Sequence, residues 1–151
     1  MERNYTNIYY DARHTTGLTQ ERWAELLGLS VDSVKQYEAG KITPSDEVVL
    51  RMAEAAGHHI ICYWHLLHKS RVAGQILPPV ERLPLAQAVV QLLARMREFD
   101  REHHDDALLT IAEDGRVDPD ELPHFKQVVR DLHGIIQAAI QIDYAERETD
   151  P

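Results

Sequence analysis

Between Leu18 and Pro44 the chain reads LTQERWAELLGLSVDSVKQYEAGKITP, and polar side chains, Asp32, Lys35 and Gln36 among them, gather at the start of a short helical segment. A carboxylate, an ammonium and an amide so placed can hydrogen-bond to an outside partner. They are not an arrangement for bond-making: no nucleophile–base pairing and no glycine-rich phosphate loop accompanies them. Two other sets of residues could do chemistry. His65 and His68 are three apart on one helical face, and His103-His104-Asp105-Asp106 offers further ligands, but neither set has zinc spacing and Cys62 has no cysteine partner. The segment TIAEDGRVDPDE superficially follows a calcium loop, with Gly115, Val117 and Glu121 at its sixth, eighth and twelfth positions. Thr110 and Ala112 stand at the first and third positions and cannot supply the carboxylates calcium needs, so helix capping accounts for the acidic residues better. No catalytic residue, cofactor or metal site is expected, and the chain does not read as an enzyme.

The elements that must position the polar group follow from local signals. Thr19 can cap a helix over Gln20–Leu27, in which Trp23, Leu26 and Leu27 share a face, and Gly28 ends it. Ser30 can cap the next helix, from Val31 to Ala39, with Val34 and Tyr37 on one side and Gly40 as its stop. Pro44 and Ser45 open a further helix with an apolar stripe of Val48, Val49, Met52, Ala53 and Ala56, ending at Gly57. Upstream, Ile8 to Thr15 suits a first helix with Tyr9 and Ala12 inward. Two short helices joined by a tight turn, the second opening on polar side chains, is how a helix-turn-helix offers a recognition helix to the major groove.

The ordered set Arg13, Gly17-Leu18-Thr19-Gln20, Ala24, Gly28, Val34, Tyr37-Glu38-Ala39-Gly40-Lys41 and Pro44 resembles the Cro/Xre-type helix-turn-helix domain, the lambda-repressor-like class, over residues 7–57. The resemblance implies an ion pair between Arg13 and Glu38 that ties the first helix to the recognition helix. It implies a small residue at Ala24 for a close helix crossing. For Gln20, at the start of the second helix, it implies donation to a DNA phosphate, where the helix dipole also favours an anion. Val31, Asp32, Lys35 and Gln36 are implied as readers of base edges. Gln36 suits adenine bidentately, Val31 a thymine methyl, and Asp32 a cytosine amino group, although its charge repels phosphate. Lys41 and Thr43, in the following loop, are implied as backbone contacts that set register without reading sequence.

Charge argues against tight binding by one copy. The chain has 16 Lys plus Arg against 25 Asp plus Glu, a formal net of −9. Residues 1–69 carry −2 and residues 70–151 carry −7, whereas displaced counterions on a basic footprint supply much of the affinity for DNA. Two copies acting together would double the phosphate contacts. No apolar run approaches the roughly 20 residues needed to span a bilayer, and MERNYTNIYYDARH lacks a signal peptide's apolar core. The single cysteine, Cys62, lies among Ile60, Ile61, Tyr63 and Trp64 and reads as a buried thiol. A cytoplasmic, non-membrane protein is expected.

Beyond Gly57, HHIICYWHLLHK reads as a fifth helix facing the preceding domain through Ile61, Trp64, Leu67 and His68. Residues 70–83, with Pro78-Pro79, read as a linker. From Pro84 to about Tyr144 two long amphipathic helices are expected. The first carries Leu85, Val89, Leu92, Met96 and Phe99 as its seam, resumed by Leu108, Ile111 and Ala112 after DREHHDD. The second carries Phe125, Val128, Val129, Leu132, Ile135, Ile136, Ala139, Ile140 and Ile142. Asp118, Pro119 and Glu121 suit a capping box at the junction. The expected fold is all-α: a five-helix lambda-repressor-like domain over 1–69, a linker over 70–83, and a two-helix antiparallel hairpin over 84–151 for dimerisation or effector functions. The expected function is a sequence-specific, double-stranded-DNA-binding transcriptional regulator, a repressor acting as a homodimer. The alternative is a protein-interaction module, such as an antitoxin or antirepressor, that takes a protein partner through the hairpin.

Overall fold

The computed structural model describes residues 7–146. Nine helices occur among them, and the chain divides between Leu77 and Pro78 into two compact units. The first holds α1 (Ile8–His14), α2 (Gln20–Leu27), α3 (Val31–Glu38), α4 (Asp46–Ala56), α5 (Ile60–Lys69) and the one-turn α6 (Ala73–Ile76). The second holds α7 (Leu85–Arg101), α8 (His104–Ala112) and α9 (Leu122–Asp143).

In the first unit the starts of α1 to α4 are each fixed by a side-chain cap, while α5 and α6 start without one. Asn7 accepts from Tyr9 N, Thr19 from Arg22 N, Ser30 from Ser33 N and Ser45 from Val48 N, so amides without intrahelical partners are satisfied locally. Gly28 adopts φ 64°, which a Cβ would strain, and its N–H closes α2 on Ala24 O and Glu25 O. Arg51, from α4, donates through Nη1 to Leu27 O at 2.7 Å and satisfies one more carbonyl at that end. The turn between α2 and α3 is thereby held from both sides.

Trp23, Ala24, Leu27, Val34, Val49, Met52, Ala53 and Ile61 form the centre of the core, with Tyr9 and Ala12 of α1 closing it. Leu26, expected on the inner face of α2 beside Trp23 and Leu27, instead points outward and is 54% exposed. On α5 the inward residues are Ile60, Ile61, Tyr63 and His65, while His68 is exposed. The Nδ1 of His65 lies 2.8 Å from the Tyr9 hydroxyl and its Nε2 donates to Asp46 Oδ1 at 3.1 Å. Burial pushes the Tyr9 phenol up to about 12.

The second unit overturns the expected architecture. Six helices follow α1–α3, and the C-terminal part is three helices, not a two-helix hairpin. The first expected helix breaks where its sequence is DREHHDD: α7 stops at Arg101, His103 takes the left-handed φ of 54°, and α8 starts at His104. Nothing apolar in that stretch could reward a continuous helix. Asp105 and Asp106 fall instead in the first turn of α8, where a helix favours negative charge. The break also lets His104 turn inward, its Nε2 donating to Asp131 Oδ2 of α9 at 2.8 Å and its ring edge-on to Phe99. That contact, with the Gln127 amide ahead of it, holds the Asp131 carboxyl below its ordinary range.

Helices α7 and α9 run antiparallel. Glu146 N donates to Leu83 O at one end, and the stem of Arg95 lies across Gly134 further along. The helix rotation differs from the expected seam. Ala88 is the buried residue of α7, packed with Leu83, Ala145 and Ile142, and Leu92 and Phe99 are half-buried. Leu85, Val89 and Met96 are exposed, as are Leu93 and Val90. On α9 Val128 and Ala138 are buried and Ile136 is exposed. At the α8–α9 junction Glu121 reaches back to Asp118 N at 2.9 Å, and the regular helix begins only at Leu122.

Gly134 sits in the interior of a 22-residue helix, where glycine costs about 1 kcal/mol relative to alanine. An added Cβ would approach Arg95 Nη1 to 2.6 Å, but that atom is the tip of an exposed, flexible side chain. Gly134→Ala should therefore raise stability by up to about 1 kcal/mol in urea denaturation. A loss of stability would mean that the Arg95 guanidinium has nowhere else to go.

Candidate nucleic-acid interface

The α3 helix is capped at its start by Ser30 and held at its last residue by side chains of α1 and α2. At its C-terminal end, Arg13 of α1 makes a forked pair with Glu38: Nε donates to Oε1 at 2.6 Å and Nη2 to Oε2 at 3.0 Å. Both side chains are nearly buried, at 11% and 6% exposure. The remaining guanidinium nitrogen, Nη1, donates to Leu18 O at 2.7 Å, in the approach to α2. The pairing raises the Arg13 pKa further, its hydrogen bond to Glu38 being the main cause. Asn7 adds a second strut, donating through Nδ2 to Tyr37 O at 2.6 Å while its Oδ1 caps α1. Asn7 was not singled out from sequence as a contributor, although an asparagine just before a helix is a capping signal.

The expected DNA-contacting residues fall in three environments. Asp32 and Lys35 are exposed on α3, and half-buried Gln36 lies beside them. Gln36 Nε2 donates to Asp32 Oδ2 at 2.5 Å, one turn back along the helix. Asp32 thus holds the Gln36 amide by one N–H, and its other N–H and carbonyl oxygen have no partner among the described residues. Val31 is half-buried and packs against the core cluster, so less of it is available than its place at the helix start suggested.

Gln20 sits at the first position of α2, yet its amide is not directed only outward. Nε2 donates to Glu38 Oε2 at 2.7 Å, so Gln20 joins the Arg13–Glu38 cluster. One amide N–H and the carbonyl are left. Neighbouring Glu21 brings negative charge to the same turn, its carboxyl held below the usual range by its own backbone amide and then by the Thr19 hydroxyl. The opposing charges of α2 and α3 thus lie near one another, and the site has no broad basic surface. Lys41 and Thr43 are exposed in the loop after α3, where Lys41 N and Ile42 N both donate to Gln36 O. Ile42, at 50% exposure, joins them as an apolar member of the same loop that sequence reasoning passed over. Ser33 was also passed over; its hydroxyl lies 2.8 Å from that of Ser30 beside the reader positions.

The arrangement can present an amide, a carboxylate and an ammonium on one exposed helix face, at fixed height above a clamped scaffold. It holds no group of His, Cys, Asp and Glu able to bind a metal among the described residues. No helix among the described residues is long and apolar enough to cross a membrane.

A family model described as a helix-turn-helix domain matches residues 11–58, about a third of the chain. The matched segment contains Arg13, Glu38 and all of the positions discussed on α2, α3 and the loop that follows. No curated protein and no solved structure gives a significant match to the chain. The N-terminal unit thus carries a helix-turn-helix domain, a DNA-binding module, inside an all-α chain.

The forked pair supplies a stability test. Removing Glu38 leaves the Arg13 charge nearly buried with only the Leu18 carbonyl as acceptor. Glu38→Ala should cost about 3 kcal/mol in urea denaturation, and the Arg13→Met, Glu38→Ala double variant should cost less than the sum of the singles. Additive single effects would show that the two side chains do not stabilise each other.

Proposed function

We propose that this protein is a sequence-specific DNA-binding transcriptional regulator that represses by occupying its operator as a dimer. The observation that carries the reading is the Asp32–Lys35–Gln36 face of α3, with Asp32 and Lys35 exposed, on a helix whose last residue, Glu38, is immobilised by Arg13 and Gln20. Gln36 reads a base edge, with Asp32 fixing its amide plane, and Lys35 meets a guanine or a phosphate. Val31 offers a smaller apolar contact. Lys41, Thr43 and the free N–H of Gln20 touch the backbone and set register. Such a protein works where its DNA is, in the cytoplasm.

Dimerisation follows from charge and from an uncovered surface. One copy brings too few cations to a polyanion for tight binding, given −2 over residues 1–69. On α7, Leu85, Val89, Leu93 and Met96 leave an apolar ridge exposed at four- and three-residue spacing. Pairing two such ridges would present two α3 helices to half-sites about 34 Å apart, or a multiple of that. The same ridge also favours a second reading, in which the chain is an interaction module such as an antitoxin or antirepressor and the ridge takes a different protein.

Selection of bound duplexes from a random pool separates the two readings. A single enriched motif is expected, with Gln36→Ala losing about 10- to 100-fold affinity and preference at one base position. Lys35→Ala should weaken binding more uniformly and flatten the salt dependence. No enrichment, or enrichment unchanged by either substitution, would leave the interaction-module reading standing.

The dimer is tested separately by light scattering at tens of micromolar protein. A mass of two chains is expected, falling to one on Leu93→Lys. A monomer with and without the selected duplex would remove the dimer.

A further inference from the structure

A cleft of about 740 Å³ opens between α4 and α5 in the first unit, remote in sequence from the α3 face. Its volume is that of a small-molecule site. The walls are aliphatic: Val49 and Leu50 from α4, Cys62 and Leu66 from α5. Leu50 and Leu66 are about half exposed, at 53% and 46%, although they flank a concave surface that a soluble monomer gains nothing by leaving wet. No Phe, Tyr or Trp ring lines the cleft, and the one imidazole, that of His65, belongs to its polar rim.

The rim is charged and unbalanced. Lys69 Nζ donates to Asp46 Oδ1 at 2.7 Å, and that same oxygen accepts from His65 Nε2. His65 is therefore committed on both ring nitrogens, to Asp46 and to Tyr9. It serves as a post that keeps the Asp46 carboxylate at the rim. Asp46 offsets Lys69 and is held below its usual range chiefly by that lysine. Arg71, at the mouth, has no ion-pair partner among the described residues. The cleft thus joins an aliphatic wall to one uncompensated guanidinium, with spare donors on Lys69.

We propose that this cleft binds a medium-chain aliphatic monocarboxylate, the chain lying along Leu50, Cys62 and Leu66 and the carboxylate paired with Arg71 and Lys69. A single negative charge balances the rim, and a planar carboxylate matches the guanidinium fork. A cationic amphiphile would bring like charge to Arg71. An uncharged alcohol would gain the wall but not the fork. A phosphate dianion would over-neutralise the mouth and gain nothing from the wall. Occupancy places the ligand next to the Asp46–His65–Tyr9 chain that leads into α1, the helix carrying Arg13.

Cys62 is the only cysteine in the chain, so its alkylation rate reports on the cleft. Burial already pushes its thiol up, and a ligand lying along the wall slows its reaction further. The full-length protein would be titrated with decanoate below its micelle concentration, while Cys62 labelling and heat of binding are followed. Decyltrimethylammonium, decanol and naphthoate serve as comparison probes. Saturable protection by decanoate is expected, with at least tenfold weaker binding in Arg71→Glu. Arg71 is exposed and has no ion-pair partner among the described residues, so this variant should fold; Leu66→Asp, on the wall, should abolish binding by placing a carboxylate in the chain's path. Equal protection by decanol or the ammonium would mean a merely greasy surface and overturn the proposal. So would tighter binding of naphthoate, unchanged affinity in Arg71→Glu, or no protection at millimolar decanoate.

Discussion

Arg13 and Glu38 belong to different helices and both lie nearly out of solvent, so neither charge has bulk water to fall back on. A pair in that position must be satisfied completely or it destabilises the fold. Here the satisfaction is shared: the guanidinium takes the carboxylate in a fork and spends its third nitrogen on the Leu18 carbonyl, and the carboxylate receives a further N–H from Gln20. Helix α1, the approach to α2, the first residue of α2 and the last of α3 are thus joined through one cluster. Asn7 reinforces the same junction on the Tyr37 carbonyl. The start of α3 is tied by the Ser30 cap and by Val31 on the core, and Asp32 and Lys35 remain on the surface between the two tied ends. One short helix is thus fixed at both ends and exposes Asp32 and Lys35 on its outer face.

This arrangement also changes how two residues are understood. Gln20 and Asp32 each looked like a direct partner for DNA. In the folded unit each is already bonded to a neighbour, Gln20 to Glu38 and Asp32 to Gln36. Gln20 ties the start of α2 to the end of α3, and Asp32 holds the Gln36 amide one turn along the helix. The Asp32 carboxylate on the outer face of α3 is engaged by an adjacent amide.

The second unit is organised by a different kind of constraint. Apolar residues on α7 are numerous enough that more than one rotation would bury a regular stripe. The line through Leu85, Val89, Met96 and the line through Ala88, Leu92, Phe99 are both helical repeats, and both share a boundary. Packing selects the second, because small Ala88 fits against Leu83, Ile142 and Ala145 where a larger side chain would hold the helices apart. The rejected line is left as an exposed ridge. His104 adds the other decision: its bond to Asp131 requires a turn before α8, and the left-handed His103 provides it.

Much of the N-terminal half was legible from residue types because the signals act over three or four residues. Thr19, Ser30 and Ser45 reach amides within their own first turns, Gly28 accepts a conformation other residues resist, and Trp23 and Val34 repeat at helical spacing. Local geometry alone satisfies such groups, so their roles can be read without knowing the rest of the fold. The all-α class was readable for the same reason, whereas the Glu121 contact to Asp118 N closes a turn before α9 and caps no helix. What the tertiary structure alone decided were outcomes of competition between distant groups. Leu26 lost a place in the core to its neighbours, His65 and not His68 turned toward Tyr9, and the long C-terminal helix broke in two. A hydrophobic period says that some face of a helix is buried, but which face depends on the shape it meets. A hydrogen-bonding side chain likewise announces a capacity, and only the fold supplies the partner that uses it.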